Sequence, residues 1–128
     1  MRVVIADDHE VVRRGVKALF ESNDHWIVCG EAGDGQEAVS LVAALRPDLV
    51  VLDVSMPVMN GLQAAAKIRQ VSPRTKIVVL SMHESPYITQ EALQAGADAF
   101  LAKSSAGTHL IRTVKELFST EPDVVDSR

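Results

Sequence analysis

The chain has 128 residues, of which 47% are hydrophobic and 23% charged, a composition typical of one folded domain and unlike that of a disordered chain. Its longest apolar run covers only Leu41 to Leu45, whereas a membrane-spanning helix needs about 20 apolar residues, and Asp7 and Asp8 interrupt the stretch where an export signal would be apolar. The net charge of -4 argues against a basic face for nucleic acid, so we expect one cytoplasmic domain without membrane contact.

Five short runs rich in β-branched residues predict strands. They are Val3 to Ile5, Trp26 to Val28, Leu49 to Leu52, Ile77 to Leu80 and Ala99 to Leu101. Three of the runs are continuously apolar, as expected of strands that helices cover on both faces. The spacing of about 22 to 28 residues leaves room each time for one strand, one helix and two short loops.

The segments between these strands carry the apolar spacing of helices. The first repeats it at Val12, Val16, Leu19 and Phe20, whereas the fourth, around Ile88 and Ala92, has a weak stripe. Strands that alternate with helices predict an α/β fold with a parallel sheet and right-handed crossovers. The stripe is lost after Phe118, which predicts that 120–128 begin a linker.

Chemistry-bearing side chains follow the predicted strands where each one ends. Asp7 and Asp8 follow the first strand, Asp53 the third, Ser81 the fourth and Lys103 the fifth. In open parallel sheets, ligands bind outside the carboxyl ends of the strands. A single loop carboxylate is usually a solvated turn residue or a helix cap, but all of these side chains together predict a functional site.

Three neighbouring carboxylates repel one another, and burial would raise their pKa values unless a cation compensates. Oxygen ligands without a convergent set of histidines or cysteines favour Mg²⁺ over Zn²⁺. The four histidines, at 9, 25, 83 and 109, lack the spacing of metal ligands. Mg²⁺ on carboxylates, beside a lysine and a serine, is suited to binding a phosphoryl group and neutralising its charge.

Four motifs at these strand ends resemble those of the receiver domain of bacterial two-component response regulators. They are Ala6-Asp7-Asp8-His9, the letters LDVSMPVMNG at 52–61, Ser81-Met82-His83, and the letters GADAFLAK at 96–103. The resemblance covers about residues 2 to 118. The letters VIADDH at 4–9 and VCGEA at 28–32 are most similar to the NarL/FixJ subgroup, whose members usually carry a C-terminal, LuxR-type helix-turn-helix domain that binds DNA.

The resemblance implies that Asp53 is the phosphoacceptor and receives its phosphoryl group from a phosphohistidine of a sensor histidine kinase. It implies that Asp8 and Asp53 bind Mg²⁺ directly and that Asp7 acts through water. The backbone carbonyl of Ser55 would supply a further oxygen ligand.

The resemblance also implies a switch. Ser81 would donate a hydrogen bond to one phosphoryl oxygen, and Lys103 would pair with another. Phe100 matches the switch aromatic, whose side chain turns inward when Ser81 moves toward the phosphoryl group. Because phenylalanine has no hydroxyl, its two orientations would differ in packing alone.

The implied fold is flavodoxin-like, a (βα)5 sandwich whose five parallel strands have the order 2-1-3-4-5, which makes strands one and three neighbours. Residues 1–119 would form the receiver domain, a signalling switch rather than an enzyme, although it takes part in its own phosphorylation and dephosphorylation. DNA contact would occur only through a helix-turn-helix domain beyond 128. Phosphorylation would change self-association, as in a homodimer, or contact with an effector.

One departure concerns the residue after Lys103. Many receivers have proline there, in a cis peptide, whereas this chain has Ser104. A cis bond before a residue other than proline costs about 3 to 4 kcal/mol, so the geometry of the predicted Lys103-Ser104 loop is left open.

Three other functions remain alternatives. A flavodoxin-type FMN binder needs phosphate-binding donors after the first strand, where Asp7 and Asp8 would repel the phosphate. A phosphohydrolase of the HAD type has a second aspartate two residues after its nucleophile, where this chain has Ser55. A pseudo-receiver would lack the phosphorylation site, whereas here every site position is filled.

Two histidines beside the site have open roles. His9 is expected to be a surface residue at the start of the first helix. His83 either modulates the lifetime of the phosphoryl group, as the family places a water-gating residue there, or is simply exposed. Tyr87, at the start of the fourth helix, is open between partner contact and plain exposure.

Overall fold

Strands and helices alternate along the whole described chain. The computed structural model describes residues 1–83 and 85–119, so the predicted linker at 120–128 lies outside the described residues. The elements are β1 (Arg2–Ala6), α1 (Glu10–Glu21), β2 (Ile27–Ala32), α2 (Gly35–Leu45), β3 (Leu49–Asp53), α3 (Gly61–Val71), β4 (Lys76–Ser81), α4 (Pro86–Gln94), β5 (Ala99–Ala102) and α5 (Lys103–Phe118). Each of these helices is too short or too polar to cross a membrane.

The five strands form one parallel sheet in the order β2-β1-β3-β4-β5, which confirms the predicted flavodoxin-like fold. β1 lies between β2 and β3, and Ala6 is opposite both Ala32 and Leu52. The chain therefore leaves β1 toward one edge of the sheet and later returns to build the other side. Folds with such a reversal bind ligands at the carboxyl ends of the strands beside it, which here are β1 and β3.

Two helical layers cover the sheet, because successive residues of a strand face opposite sides. α2, α3 and α4 cover one face, where the buried strand residues are Val4, Ala6, Ala32, Val50, Leu52, Ile77 and Val79. α1 and α5 cover the other face, where they are Val3, Ile5, Leu49, Val51, Val78 and Leu80. Every residue of β3 is buried, which accounts for the continuous apolar run in its sequence.

The second strand begins at Ile27, one residue after its predicted start. The backbone N–H of Trp26 donates to the Asn23 carbonyl in a turn and is therefore not available to the sheet. The indole of Trp26 packs on the ring of Phe20, with the ring centroids 5.8 Å apart.

Side-chain caps mark the starts of three helices. Asn60 and Gln63 form a reciprocal capping box at α3, and Asp34 caps α2. α4, whose apolar stripe is weak, is confirmed; Ser85 caps it and Pro86 occupies its first turn. These local signals explain how a helix with little amphipathic pattern still has a defined start.

Candidate functional site

The site is built at the carboxyl ends of β1 and β3. Asp7 directly follows Ala6 of β1, and Asp53 directly follows Leu52 of β3. Asp7 and Asp53 are therefore neighbours, because Ala6 and Leu52 lie opposite each other in the sheet. Both carboxylates are buried, with Asp53 2% exposed. Gly61 at the start of α3 keeps this helix against β3, because a Cβ there would collide with the backbone carbonyl of Asp53.

Lys103 joins the two buried aspartates. Its ammonium Nζ lies 2.8 Å from Asp7 Oδ2 and 3.3 Å from Asp53 Oδ2, and its side chain is only 9% exposed. Lys103 is the first residue of α5, so the segment expected to be a loop is helical at this point. The described residues contain no cis peptide bond, and the Lys103-Ser104 bond is therefore trans.

The electrostatics of the site are unbalanced. Burial raises the pKa of Asp53 above its ordinary value, and the negative charge of Asp7 raises it further. Lys103 and the backbone N–H of Ser55 oppose this shift without cancelling it. Burial alone would lower the pKa of Lys103, but its hydrogen bond to Asp7 and the charges of Asp53 and Asp7 outweigh burial and raise that pKa.

Asp8 adds a more exposed carboxylate to this pair. One potential ligand atom from each of Asp7, Asp8, His9 and Asp53 lies within 4.8 Å of the others. The three carboxylates exceed the single ammonium of Lys103 by two negative charges, which a divalent cation would neutralise. Carboxylate oxygens are the ligands that Mg²⁺ prefers, so the donor set fits the predicted cation.

Ser55 lies in the loop after β3, two residues beyond Asp53. Its backbone N–H supports the ionised form of the Asp53 carboxylate. The role assigned to its carbonyl oxygen, as a metal ligand, stays a prediction.

Ser81 is the last residue of β4 and is buried. Its hydroxyl donates to the carbonyl of His83 at 2.9 Å and accepts from the His83 N–H at 3.1 Å. The Ser81 hydroxyl is therefore occupied by hydrogen bonds within its own loop. Ser81 lies near Asp53 in the sheet, because the residue before it, Leu80, is opposite Asp53. His83 itself is exposed, and its effect on a phosphoryl group stays a prediction.

Phe100 lies on β5, opposite Val79 of β4, and packs at the margin of the core beneath α2, α3 and α4. It also lines a surface groove of about 760 Å³ between α4 and the β5–α5 segment. Tyr87, in the first turn of α4, is exposed. The groove gives Phe100 space on one side, and the predicted change of its orientation stays a prediction.

Two contributors to the site were not predicted from the sequence. His9 lies at the surface, as expected, but its Nδ1 is 3.1 Å from Asp8 Oδ1 and 3.3 Å from Asp7 Oδ1. Its position directly after Asp8 was the available signal, which a comparison of spacings among histidines could not detect. Arg13 donates to the backbone carbonyl of Asp7 at 2.6 Å and to Glu31 at 3.2 Å; the one-turn spacing from His9 was its only signal.

Comparisons with known proteins agree with this architecture. The profile of the response regulator receiver domain matches residues 3–115. The uncharacterized transcriptional regulatory protein YhcZ of Bacillus subtilis is 43% identical over 113 residues, which are 88% of this chain and 53% of that protein. The probable transcriptional regulatory protein NarL of Mycobacterium tuberculosis is 40% identical over 89% of this chain and 53% of its own length.

Solved structures show the same relationship. The signal receiver domain of the putative response regulator NarL from Mycobacterium tuberculosis superposes with a TM-score of 0.85 at 40% identity, covering 91% of this chain and 94% of that one. The chain spans about half the length of the curated relatives it matches. It belongs to the response regulator receiver domain family, as its fold and its strand-end motifs predicted.

Proposed function

We propose that this chain is a phosphorylation-dependent switch that accepts a phosphoryl group on Asp53 from a sensor histidine kinase. The observation that carries the proposal is the buried Asp53 carboxylate, held beside Lys103 and Asp7 at the end of β3. In terms of the family that the comparisons establish, Asp53 corresponds to the nucleophile, Lys103 to the cation beside it, and Asp7 to a metal-binding carboxylate.

The transfer itself breaks one bond and forms one. An oxygen of Asp53 attacks phosphorus, and the bond from phosphorus to the kinase histidine breaks with its electron pair on the imidazole, which then takes a proton. The nucleophile must be ionised, and Lys103 favours the ionised form against the effect of burial. Lys103 is also placed to pair with a phosphoryl oxygen as negative charge moves outward from the carboxylate.

The residues that would hold Mg²⁺ are Asp8 and Asp53 directly, Asp7 through water, and Ser55 through its backbone carbonyl. The ion, when bound, supplies positive charge next to the phosphoryl oxygens. The Asp7 carboxylate is held in place at both oxygens. One oxygen accepts a hydrogen bond from Lys103, and the other accepts from the backbone N–H of His9 at 2.9 Å.

The response to phosphorylation would begin at Ser81. To donate to a phosphoryl oxygen, its hydroxyl must release the carbonyl of His83. Phe100 would then turn inward and change the groove between α4 and the β5–α5 segment. Phosphorylation shifts the population of the two states only by its different interaction energy with each, so the exchange of hydrogen bonds at Ser81 sets part of the balance.

The setting follows from the relatives. The curated relatives reported above are transcriptional regulatory proteins, and the matched segment covers only 53% of their length. We therefore propose that residues 1–119 form the receiver of a cytoplasmic DNA-binding regulator, with 120–128 as the start of its linker. A helix-turn-helix domain would contact DNA, and phosphorylation would change homodimer formation or effector contact.

The test uses a small phosphoryl donor, so that no kinase has to be identified. After incubation with acetyl phosphate and Mg²⁺, the intact mass of the chain should increase by about 80 Da, the mass of one phosphoryl group. Asp53→Asn should show no increase, whereas Asp24→Asn, at an exposed turn, should match the parent. No added mass on the parent would favour a pseudo-receiver, and equal labelling of Asp53→Asn would place the phosphoacceptor elsewhere.

A further inference from the structure

We infer that His9 is a ligand of the divalent cation at this site, which gives the site a nitrogen donor and a stronger preference for Mn²⁺ over Mg²⁺ than its carboxylates alone provide. The inference rests on the proposed function only in that both need a cation at the same cluster. It concerns which atoms bind the cation, and it is tested without phosphorylation.

The geometry of the ring supports this role. His9 Nδ1 lies 3.1 Å from Asp8 Oδ1 and 3.3 Å from Asp7 Oδ1. Two adjacent ligands of an octahedral ion, each about 2.1 Å from it, are separated by about 3 Å. The cluster of Asp7, Asp8, His9 and Asp53 already has its ligand atoms within 4.8 Å of one another, so a shared ion requires only small movements.

The backbone positions His9 without occupying its ring. His9 is the residue that precedes α1, and its backbone N–H donates to Asp7 Oδ1 at 2.9 Å. Its side chain takes no part in capping the described start of α1. The imidazole is 65% exposed, which lets a hydrated ion reach it from solvent.

The chemistry of the donor decides which ions benefit. Mg²⁺ prefers oxygen ligands and keeps several waters, whereas imidazole nitrogen suits first-row transition ions. If Nδ1 instead carries the ring hydrogen, it donates to Asp8 and has no lone pair to offer the cation. The two roles differ in whether Nδ1 offers a lone pair or a proton to the cluster.

The experiment measures nitrogen coordination and metal preference on the whole chain. Pulsed electron paramagnetic resonance of the Mn²⁺-loaded parent should show modulation from a directly bound ¹⁴N nucleus. His9→Gln should lose this signal, while His25→Gln, a matched change at the turn before β2, should keep it. The affinity for Mn²⁺ should fall about tenfold or more in His9→Gln, with Mg²⁺ affinity changed by less than about threefold.

Three results would overturn the inference. The first is that Mn²⁺ bound at this site, identified by its loss in Asp8→Asn, shows no nitrogen modulation. The second is that the nitrogen modulation persists in His9→Gln. The third is an unchanged ratio of the Mn²⁺ and Mg²⁺ affinities. If Asp53 is labelled in Mg²⁺ while any of these holds, the proposed function stands and only the role of His9 fails; if neither ion binds, both fail.

Discussion

The two ends of the sheet handle charge in opposite ways. At the amino end, the guanidinium of Arg69 pairs with Asp98 at 2.8 Å and also donates to backbone carbonyls, those of Pro73, Thr75 and Gly96. The same Asp98 oxygen accepts the backbone N–H of Ile77. Arg69 and Asp98 therefore each have an opposite charge and hydrogen-bond partners. At the carboxyl end, Asp7 and Asp53 share the single ammonium of Lys103, and Asp8 adds a third carboxylate to the cluster.

This difference distinguishes polar groups that stabilise the fold from polar groups that we propose to be functional. The amino end connects α3 to the starts of β4 and β5 through the hydrogen bonds of Arg69 and Asp98, which stabilise the fold. The carboxyl end keeps an excess of negative charge that stability alone disfavours, and burial raises the pKa of Asp53 there. The proposed binding of Mg²⁺ and a phosphoryl group at this site would be a reason to retain that excess.

Lys103→Met should give the largest loss of stability of the variants considered. It leaves two buried carboxylates without their cation, which should lower the free energy of unfolding by about 3 kcal/mol or more. Chemical denaturation in the absence of divalent ions measures the change. A loss below about 1 kcal/mol would mean that Lys103 does not balance the charges of this site.

The matched change at the other end is Arg69→Met. Because Arg69 is partly exposed, the loss of its hydrogen bonds should cost about 2 kcal/mol. Labelling by acetyl phosphate should be unchanged, whereas Lys103→Met should reduce it. Equal effects of the two variants on labelling would remove the functional distinction between the two ends.

Mg²⁺ should stabilise the chain through the carboxyl end alone. At about 100 times its dissociation constant, an ion that binds only the folded state adds about 2.7 kcal/mol. The thermal midpoint should therefore rise with Mg²⁺ in the parent and in Arg69→Met, and much less in Asp8→Asn. A rise of equal size in Asp8→Asn would place the ion elsewhere.

Asp53→Asn should have a smaller effect, with a defined dependence on pH. The pKa of Asp53 is raised in the folded chain above its ordinary value of 3.8, so the folded state holds this proton more tightly than the unfolded state. Its contribution to stability is full below that ordinary value and is lost as pH rises through the raised pKa. Asp53→Asn does not undergo this loss and should be the more stable chain at neutral pH.

Chemical denaturation without divalent ions measures the free energy of unfolding of Asp53→Asn and of the parent. The pH values should lie below 3.8, between 3.8 and the raised pKa of Asp53, and above that raised pKa. The difference should grow with pH and then level off. A difference that stays constant, or that shrinks as pH rises, would contradict the effect of burial on Asp53.

Much of the fold could be predicted because its signals are local. Continuous apolar runs indicated the buried strands, such as Leu49 to Leu52, and their spacing indicated the helices. The strand order came from the resemblance at the strand-end motifs, because periodicity alone does not determine which strands become neighbours. Once β1 and β3 are adjacent, Asp7 and Asp53 must lie close together at their carboxyl ends.

The rest of the site depends on contacts between distant or flexible groups. Nothing in the sequence indicated that the hydroxyl of Ser81 would exchange hydrogen bonds with the backbone of His83, or that Lys103 would begin α5. The ring of His9 reaches Asp7 and Asp8 because the backbone turns at the start of α1. Such rotamers and turns depend on packing around them, which a pattern of residue types does not record.

The most direct test of the central claim is to locate the phosphoryl group on the chain. After labelling with acetyl phosphate and Mg²⁺, borohydride reduces an aspartyl phosphate to an alcohol, which converts the labelled aspartate to homoserine. Peptide mass mapping should find homoserine at position 53 and aspartate retained at 7 and 8. Homoserine at either of those positions, or none on a chain that gained the mass, would contradict the assignment of Asp53 as the phosphoacceptor.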